Sequence, residues 1–257
     1  MTLYTLTFVW AFGLCAVLQS PGTSAFWFDL HPAPSNPNNG NQGSGNNEIS
    51  SSEDVEIVNK HNDLRRNVQP SASNMLKMSW SSEAAANAKR WADSCSMKHS
   101  RKSFRKIRSS GCGENLYMSS NKRSWSHAIQ SWYDEVKDWR YGEGSINGED
   151  VGHFTQVVWY RSNLVGCAMA HCPGSRYSYF YVCQYCPPGN YQLSRPYKRG
   201  PSCGDCPNSC DNGLCTNPCK YTDRYNNCPS LKRQHGCGHR KVAAWCPASC
   251  RCSSEII

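Results

Sequence analysis

Apolar residues recur at helical spacing in three stretches of this chain, and each stretch predicts a helix. The first predicted helix ends before Pro70, and its stripe consists of Val55, Val58, His61, Leu64 and Val68. The second is rich in alanine and runs from about Ser82 to Ser94. The third presents an aromatic stripe made of Trp125, Ala128, Ile129, Trp132, Val136 and Trp139.

After Gly152 the pattern changes to one that is typical of β-strands. The segments 154–159, 164–170 and 177–185 are rich in β-branched and aromatic residues, and the last one alternates. Helices that flank a mainly antiparallel sheet predict an α+β fold, arranged as an α-β-α sandwich. Residues 53–191 are long enough to build one such domain around its own core.

The N-terminal residues lack these helix and strand patterns. Residues 1–25 begin with an uncharged apolar stretch, which predicts a signal peptide cleaved after Gly22 or Ala25. Residues 26–52 are rich in Asn, Pro, Gly and Ser and predict a disordered tether. No later segment is apolar enough to predict a transmembrane helix, so we expect a secreted, extracellular protein.

Cysteine content supports an oxidising compartment. Sixteen of the 17 cysteines follow Cys15, and ten of them lie between Cys203 and Cys252. Such density predicts a small C-terminal fold held by disulfides. A metal cluster at Cys203 and Cys206 is the competing interpretation, although the later spacings do not repeat as paired zinc knuckles. Spacing alone leaves the connectivity open.

Several motifs resemble blocks of the cysteine-rich secretory protein (CRISP) family of the CAP superfamily. They are Gly113-Glu-Asn-Leu-Tyr-Met-Ser-Ser120, Ser131-Trp-Tyr-Asp-Glu135, Gly152-His-Phe-Thr-Gln-Val-Val-Trp159, Tyr181-Val-Cys-Gln-Tyr-Cys-Pro-Pro-Gly-Asn-Tyr191 and Cys210-Asp-Asn-Gly-Leu-Cys-Thr-Asn-Pro-Cys219. The resemblance covers about residues 53–257. The segment from Asn227 onward is most similar to reptilian venom members such as helothermine.

The resemblance implies a CAP (SCP-like) domain at 53–191, a linker and disulfide hinge at 192–218, a helical module like the ShK toxin at 219–252 and a short tail at 253–257. It also implies eight disulfides, which are Cys95–Cys172, Cys112–Cys186, Cys167–Cys183, Cys203–Cys210, Cys206–Cys215, Cys219–Cys252, Cys228–Cys246 and Cys237–Cys250.

Four residues match the two-His, two-Glu tetrad of the CAP domain: His99, Glu114, Glu135 and His153. Imidazole nitrogens and carboxylate oxygens suit zinc or another divalent cation, which the resemblance makes an optional ligand rather than a required cofactor. The chain lacks a His-Glu-x-x-His helix, and its mature cysteines are expected to be oxidised. We therefore expect no catalytic residue and no enzymatic turnover.

The net charge of +9 is concentrated in clusters. One run without an acid consists of Lys98, Arg101, Lys102, Arg105, Lys106 and Arg108. It predicts either a solvated loop or a surface for heparin-like polyanions or anionic membranes, and its charge disfavours a cation at His99. Nucleic acid is excluded as a partner by the expected secretion.

The C-terminal module carries a second basic surface with aromatic anchors. Its candidate channel-binding residues are Lys220, Tyr221, Arg224, Tyr225, Lys232, Arg233, Arg240, Lys241 and Trp245. A rigid basic module suits the acidic outer vestibules of calcium or potassium channels, so the resemblance implies a channel regulator or toxin that uses the CAP domain as a carrier. The alternative is a non-toxic binding module of reproductive-tract or immune secretions, which acts on cell-surface proteins through the CAP domain.

Overall fold

A computed structural model of the chain describes residues 51–225 and 227–257, which belong to one compact unit. The predicted signal peptide and all but the last two residues of the predicted tether lie outside the described residues. No helix in the described part is both long and apolar enough to cross a membrane.

The described residues contain seven α-helices and ten short or medium strands. The helices are α1 (Ser52–Arg66), α2 (Ser82–Ala92), α3 (Trp125–Tyr133), α4 (Gly152–Val157), α5 (Cys228–His235), α6 (Arg240–Trp245) and α7 (Pro247–Arg251). The strands are β1 (Ser79–Trp80), β2 (Lys106–Ile107), β3 (Ser110–Gly111), β4 (Gly113–Ser119), β5 (Trp139–Arg140), β6 (Gly144–Ser145), β7 (Leu164–His171), β8 (Tyr179–Cys186), β9 (Cys210–Asp211) and β10 (Leu214–Cys215).

The central sheet has the strand order β1-β7-β8-β4. β1 runs parallel to β7, and the other neighbours are antiparallel, as the sequence predicts. Cys167 lies directly opposite Cys183 in this register, and a disulfide joins the two. Because side chains alternate along a strand, the sheet presents two different apolar faces.

One face of the sheet packs against α1, α3 and α4. The core between them contains Ile57, Trp125, Ile129, Trp132, Phe154, Val165, Tyr181 and Tyr185. The opposite face packs against α2 through Ala88, Ala92, Phe180 and Val182. A Cβ at Gly166 would lie 2.2 Å from the backbone nitrogen of Ala85, so only glycine allows α2 to approach β7 this closely. The α+β, α-β-α prediction is confirmed.

Two predicted elements differ from the structure. Residues 154–159, predicted as a strand, belong largely to helix α4, because the Glu135 carboxylate accepts the backbone N–H groups of His153 and Phe154 and caps its first turn. The third predicted helix stops at Tyr133 and continues as a 3₁₀ turn from Asp134 to Asp138. Its stripe nevertheless faces the core, except for the partly buried Val136.

Four of the five residues of the first predicted stripe lie in or against the core: His61 and Val68 are buried, and Val58 and Leu64 pack against the buried cluster. The buried residues of α1 are Ile57, His61, Asn62 and Arg65, whereas Val55 is 47% exposed. The helix starts with a capping box, in which Asp54 N–H donates to Ser51 Oγ and Ser51 N–H donates to the Asp54 carboxylate. The core face of α1 is therefore broader than the apolar stripe, because it also includes the buried polar residues Asn62 and Arg65.

Arg65 is a buried cation that contacts only backbone carbonyls. Its guanidinium donates five hydrogen bonds of 2.6–3.1 Å, and the acceptors are the carbonyls of Leu76, Val157, Trp159 and Tyr160. Burial lowers its pKa to about 9, so the group stays charged at neutral pH. Arg65 thereby joins α1 to the segment before β1 and to the turn after α4.

The hinge packs against the body directly. Cys215 N–H donates to Met75 O and Lys77 N–H donates to Cys215 O, both at 2.8 Å. The hinge hairpin β9–β10 turns at Asn212 and Gly213, which have φ values of 47° and 81°, as an Asn-Gly hairpin turn requires. Ile256 is buried beside Leu76 and the hinge cysteines, so the last residues also close onto the body.

Eight disulfides join the same cysteine pairs that the family resemblance implies. Three of them lie in the body, two in the hinge and three in the C-terminal module, whose small core contains Cys228, Val242 and Cys246. Covalent bonds therefore replace a large apolar core in that module.

Replacing Arg65 with Met should reduce the free energy of unfolding by roughly 3–5 kcal/mol, because buried carbonyls would lose their donor. Urea unfolding with the disulfides intact measures the change. Arg140→Met is the matched control, since Arg140 is exposed and pairs only with Glu143, and it should change stability by less than about 0.5 kcal/mol. Equal effects of the two substitutions would contradict this role for Arg65.

His61 should make the fold less stable in mild acid. Its ring is fully buried, with Nδ1 2.8 Å from Ile57 O and Nε2 3.0 Å from the Tyr185 hydroxyl. Burial, followed by the charge of Arg65, lowers the pKa of His61 from 6.5 to about 4. The unfolded state therefore takes up a proton first as pH falls, and about 3 kcal/mol of stability is lost between pH 6.5 and pH 4.

Unfolding of the wild type and of His61→Gln at neutral pH and in this acidic window tests the assignment. The wild type should lose about 3 kcal/mol more than the variant over the same interval. If both proteins show the same dependence on pH, His61 is not the responsible group.

Candidate functional site

Two histidine–carboxylate pairs lie at the ends of elements of the body. His99 follows α2, and its Nδ1 is 3.0 Å from the Glu114 carboxylate on β4. The same carboxylate accepts hydrogen bonds from the Ser100 N–H at 2.9 Å, the Ser100 hydroxyl at 2.6 Å and the Gln184 amide at 3.3 Å. Glu114 is thus fixed by a network that its sequence motif did not reveal.

The Glu114 carboxylate is ionised at neutral pH. Burial alone would raise its pKa, but hydrogen bonds from His99 and Ser100 and the charge of Arg105 outweigh burial and hold the pKa below its ordinary value. The Arg105 guanidinium lies 3.9 Å from this carboxylate. The basic run in the sequence signalled a positive charge near His99, and Arg105 is the member that reaches the site.

The second pair links the 3₁₀ turn to α4. His153 Nδ1 is 2.6 Å from one oxygen of Glu135, whose other oxygen accepts the N–H groups of His153 and Phe154 at 3.0 Å. Burial lowers the pKa of His153. Its hydrogen bond to Glu135 and the charges of Glu135 and Asp150 together outweigh burial, so the pKa lies above its ordinary value. One glutamate therefore both caps a helix and orients an imidazole.

The sequence predicts four ligands, whereas the structure divides them into two roles. Both carboxylates bind the Nδ1 side of a histidine, and within the described residues neither Nε2 atom has a hydrogen bond. Carboxylates in this position orient a metal-binding imidazole and raise its basicity. No three ligand atoms of the tetrad lie within 4.8 Å of one another in the described part of the chain. Each carboxylate therefore contacts one ring and leaves the Nε2 atom of that ring without a hydrogen bond among the described residues.

Cys203, Cys206 and Cys215 form the one group of three such ligand atoms within 4.8 Å among the described residues. Their sulfurs are joined in the bonds Cys203–Cys210 and Cys206–Cys215. A disulfide sulfur is not a thiolate, so this group is not a zinc site. The structure favours the disulfide interpretation over the metal cluster.

The predicted channel-binding residues are largely exposed, and several of them contact neighbouring residues. Lys241 lies 5.8 Å from the ring centre of Trp245, and Tyr225 packs edge-on against the same ring. Tyr221 lies instead beside the body, where Arg161 donates to its carbonyl at 3.2 Å. Lys232 donates to Ser249 O at 2.6 Å and is therefore partly engaged.

The remaining predicted cations are Lys220, Arg224, Arg233 and Arg240, and all four are exposed. The sequence-based list omitted Arg251, whose guanidinium lies 4.8 Å from the ring centre of Tyr221. Its position as the last basic residue between two cysteines, Cys250 and Cys252, is the signal that could have identified it.

Comparisons with known proteins agree with this geometry. Residues 58–185 match the family model described as CAP, cysteine-rich secretory protein family, and residues 203–257 match the model described as Crisp. The chain is similar to the crystal structure of NaASP2 with Zn²⁺, with 29% identity over 68% of this chain and 100% of that chain, and a TM-score of 0.55.

Two further solved structures share the fold of the body. BmVAL-1 is 28% identical, with 66% of this chain and 97% of that chain covered and a TM-score of 0.56. Schistosoma mansoni venom allergen-like protein 4 is 26% identical, with 59% and 97% covered and a TM-score of 0.50. The expected closeness to helothermine stays a prediction. With the body and the C-terminal segment both matched, the chain belongs to the cysteine-rich secretory protein family.

Proposed function

We propose that this chain is a secreted regulator of cation channels that acts through residues 219–252. One observation carries the proposal: this module has seven Lys or Arg residues and one acid, Asp223. Asp223 is engaged by the N–H and hydroxyl of Ser249, and no basic residue of the module forms an ion pair within the described residues. Its positive charge is therefore available to an external acidic partner.

The proposed contact centres on Tyr225, Lys241 and Trp245. Tyr225 is 51% exposed and packs against Trp245, whose ring lies close to the Lys241 ammonium. An aromatic anchor beside a cation provides apolar contact and charge attraction at one point. Three disulfides hold the surrounding helices, so little ordering entropy is lost on binding.

We further propose that the body binds a divalent cation, with zinc as the first candidate. His99 and His153 would hold the ion through their Nε2 atoms, and Glu114 and Glu135 would orient the two rings. The similarity to NaASP2, crystallised with Zn²⁺, supports this assignment. Two protein ligands and the nearby Arg105 charge favour an open, weak site, so the body serves as a rigid carrier and binding domain rather than an enzyme.

Channel regulation is tested with the secreted full chain, after mass spectrometry has verified eight disulfides. We expect it to change currents through calcium or potassium channels in voltage-clamped cells. Arg240→Glu with Lys241→Glu should weaken the effect about tenfold or more, because charge attraction becomes repulsion.

Arg101→Glu with Lys102→Glu makes the same charge change in the body and should leave the current response within about twofold of the wild type. Equal responses of the two double variants would contradict the role of the C-terminal module. The absence of any current change at micromolar protein would contradict channel regulation and favour the alternative of a CAP-mediated cell-surface binder.

The cation proposal is tested by calorimetric titration of zinc into metal-free protein. His99→Ala with His153→Ala should abolish the heat of binding, and Glu114→Gln should weaken affinity about 10–100-fold because the His99 ring loses its orienting partner. His127→Ala with His171→Ala removes two exposed histidines elsewhere and serves as the control. Undiminished binding by the His99/His153 variant would remove this pair from consideration.

A further inference from the structure

A basic loop, residues 96–111, lies between two disulfide-bonded cysteines of the body. Cys95 is bonded to Cys172 just after β7, and Cys112 is bonded to Cys186 at the end of β8. The loop contains six Lys or Arg residues and no acid. Its backbone is also tied to α2, because the Trp91 indole donates to Lys98 O and the Asn87 amide donates to Lys106 O, both at 2.7 Å. The charges therefore sit on a pre-organised support.

The six cations divide into two groups. Arg105 turns inward to Glu114, and Arg108 lies 3.8 Å from Glu83. The other four are exposed and have no ion pair or side-chain hydrogen bond in the described residues, namely Lys98, Arg101, Lys102 and Lys106. A turn closed by Phe104 N–H and Arg101 O, 2.8 Å apart, places Arg101 and Lys102 at the tip of the loop.

An aromatic cavity adjoins these free charges. It has a volume of about 250 Å³ and is lined by Trp91, Arg101, Ser103 and Phe104. The Trp91 and Phe104 rings are 5.4 Å apart, and the Arg90 guanidinium lies 5.6 Å from the Phe104 ring centre. The volume is below the roughly 300–1,000 Å³ of typical small-molecule pockets, which suits one unit of a longer chain better than an enclosed small ligand.

We propose that the basic loop binds a sulfated glycosaminoglycan. Sulfate groups carry fixed charge and match the planar donors of arginine, while the apolar faces of sugar rings can pack on Trp91 and Phe104. Several unneutralised cations on one rigid loop attract a linear polyanion and bind it with release of its counterions. None of the four free cations belongs to the C-terminal module or to the His99–Glu114 pair.

An anionic membrane is less well matched to this surface. Insertion into a bilayer interface requires exposed Trp, Phe or Leu side chains beside the cations. Trp91 and Phe104 are only half-exposed, pack against each other and do not belong to the exposed large hydrophobic residues of the described chain. Both rings are therefore partly buried beside the free cations.

Binding of the full disulfide-bonded chain to immobilised heparin, with EDTA present to exclude metal effects, tests the proposal. The wild type should bind at physiological ionic strength and elute when salt is raised. Arg101→Glu with Lys102→Glu should lose about tenfold or more in affinity, since both side chains lack internal partners and reverse their charge. Far-ultraviolet circular dichroism should show an unchanged fold.

Arg240→Glu with Lys241→Glu is the matched control and should retain heparin affinity within about twofold. Fully desulfated heparin should not bind. Equal heparin affinity of both double variants, or binding to phosphatidylserine vesicles without binding to heparin, would overturn the proposal. Channel currents are measured separately, so a failure here is distinguishable from a failure of the proposed channel function.

Discussion

The hydrogen bonds of Arg65 are the constraint on which much of the body depends. One guanidinium joins α1 to Leu76 on one side and to the turn after α4 on the other. Leu76 in turn neighbours Met75 and Lys77, whose backbone groups pair with Cys215 of the hinge. A buried charge is costly without partners, and here the cost is offset by five hydrogen bonds to carbonyls among the described residues. The docking of the hinge is thus linked to the same cation.

Hydrogen bonds also fix the two carboxylates that contact His99 and His153. Glu114 is held by Ser100 and Gln184, and Glu135 is held by the first turn of α4, so each fixes one imidazole at its Nδ1 atom. The site thus leaves the Nε2 atom of each ring without a hydrogen bond among the described residues. It has no thiolate nucleophile among the described residues, because their cysteines are all disulfide-bonded.

The basic side chains of the described residues differ in whether they face the interior or the solvent. Arg65 and Arg105 point inward and stabilise the body, whereas the free cations of the basic loop and of the C-terminal module face outward. The net charge of +9 therefore does not describe one uniform field. Free cations lie beside an aromatic cavity in the body and near Trp245 in the C-terminal module.

Apolar periodicity, cysteine number and local motifs determined the sandwich, the strands β7 and β8, the family and the candidate histidines, because these signals lie within short segments. Periodicity failed at residues 154–159, whose strand-like composition folds as α4 under the cap from Glu135. In α1 it assigned the exposed Val55 to the core face and missed the buried Arg65. The four-ligand prediction stays a prediction, and the structure adds that each carboxylate contacts the Nδ1 atom of one histidine. Only the tertiary structure decided which cations face inward and which are free, because hydrogen bonds between residues distant in the sequence fix those side chains.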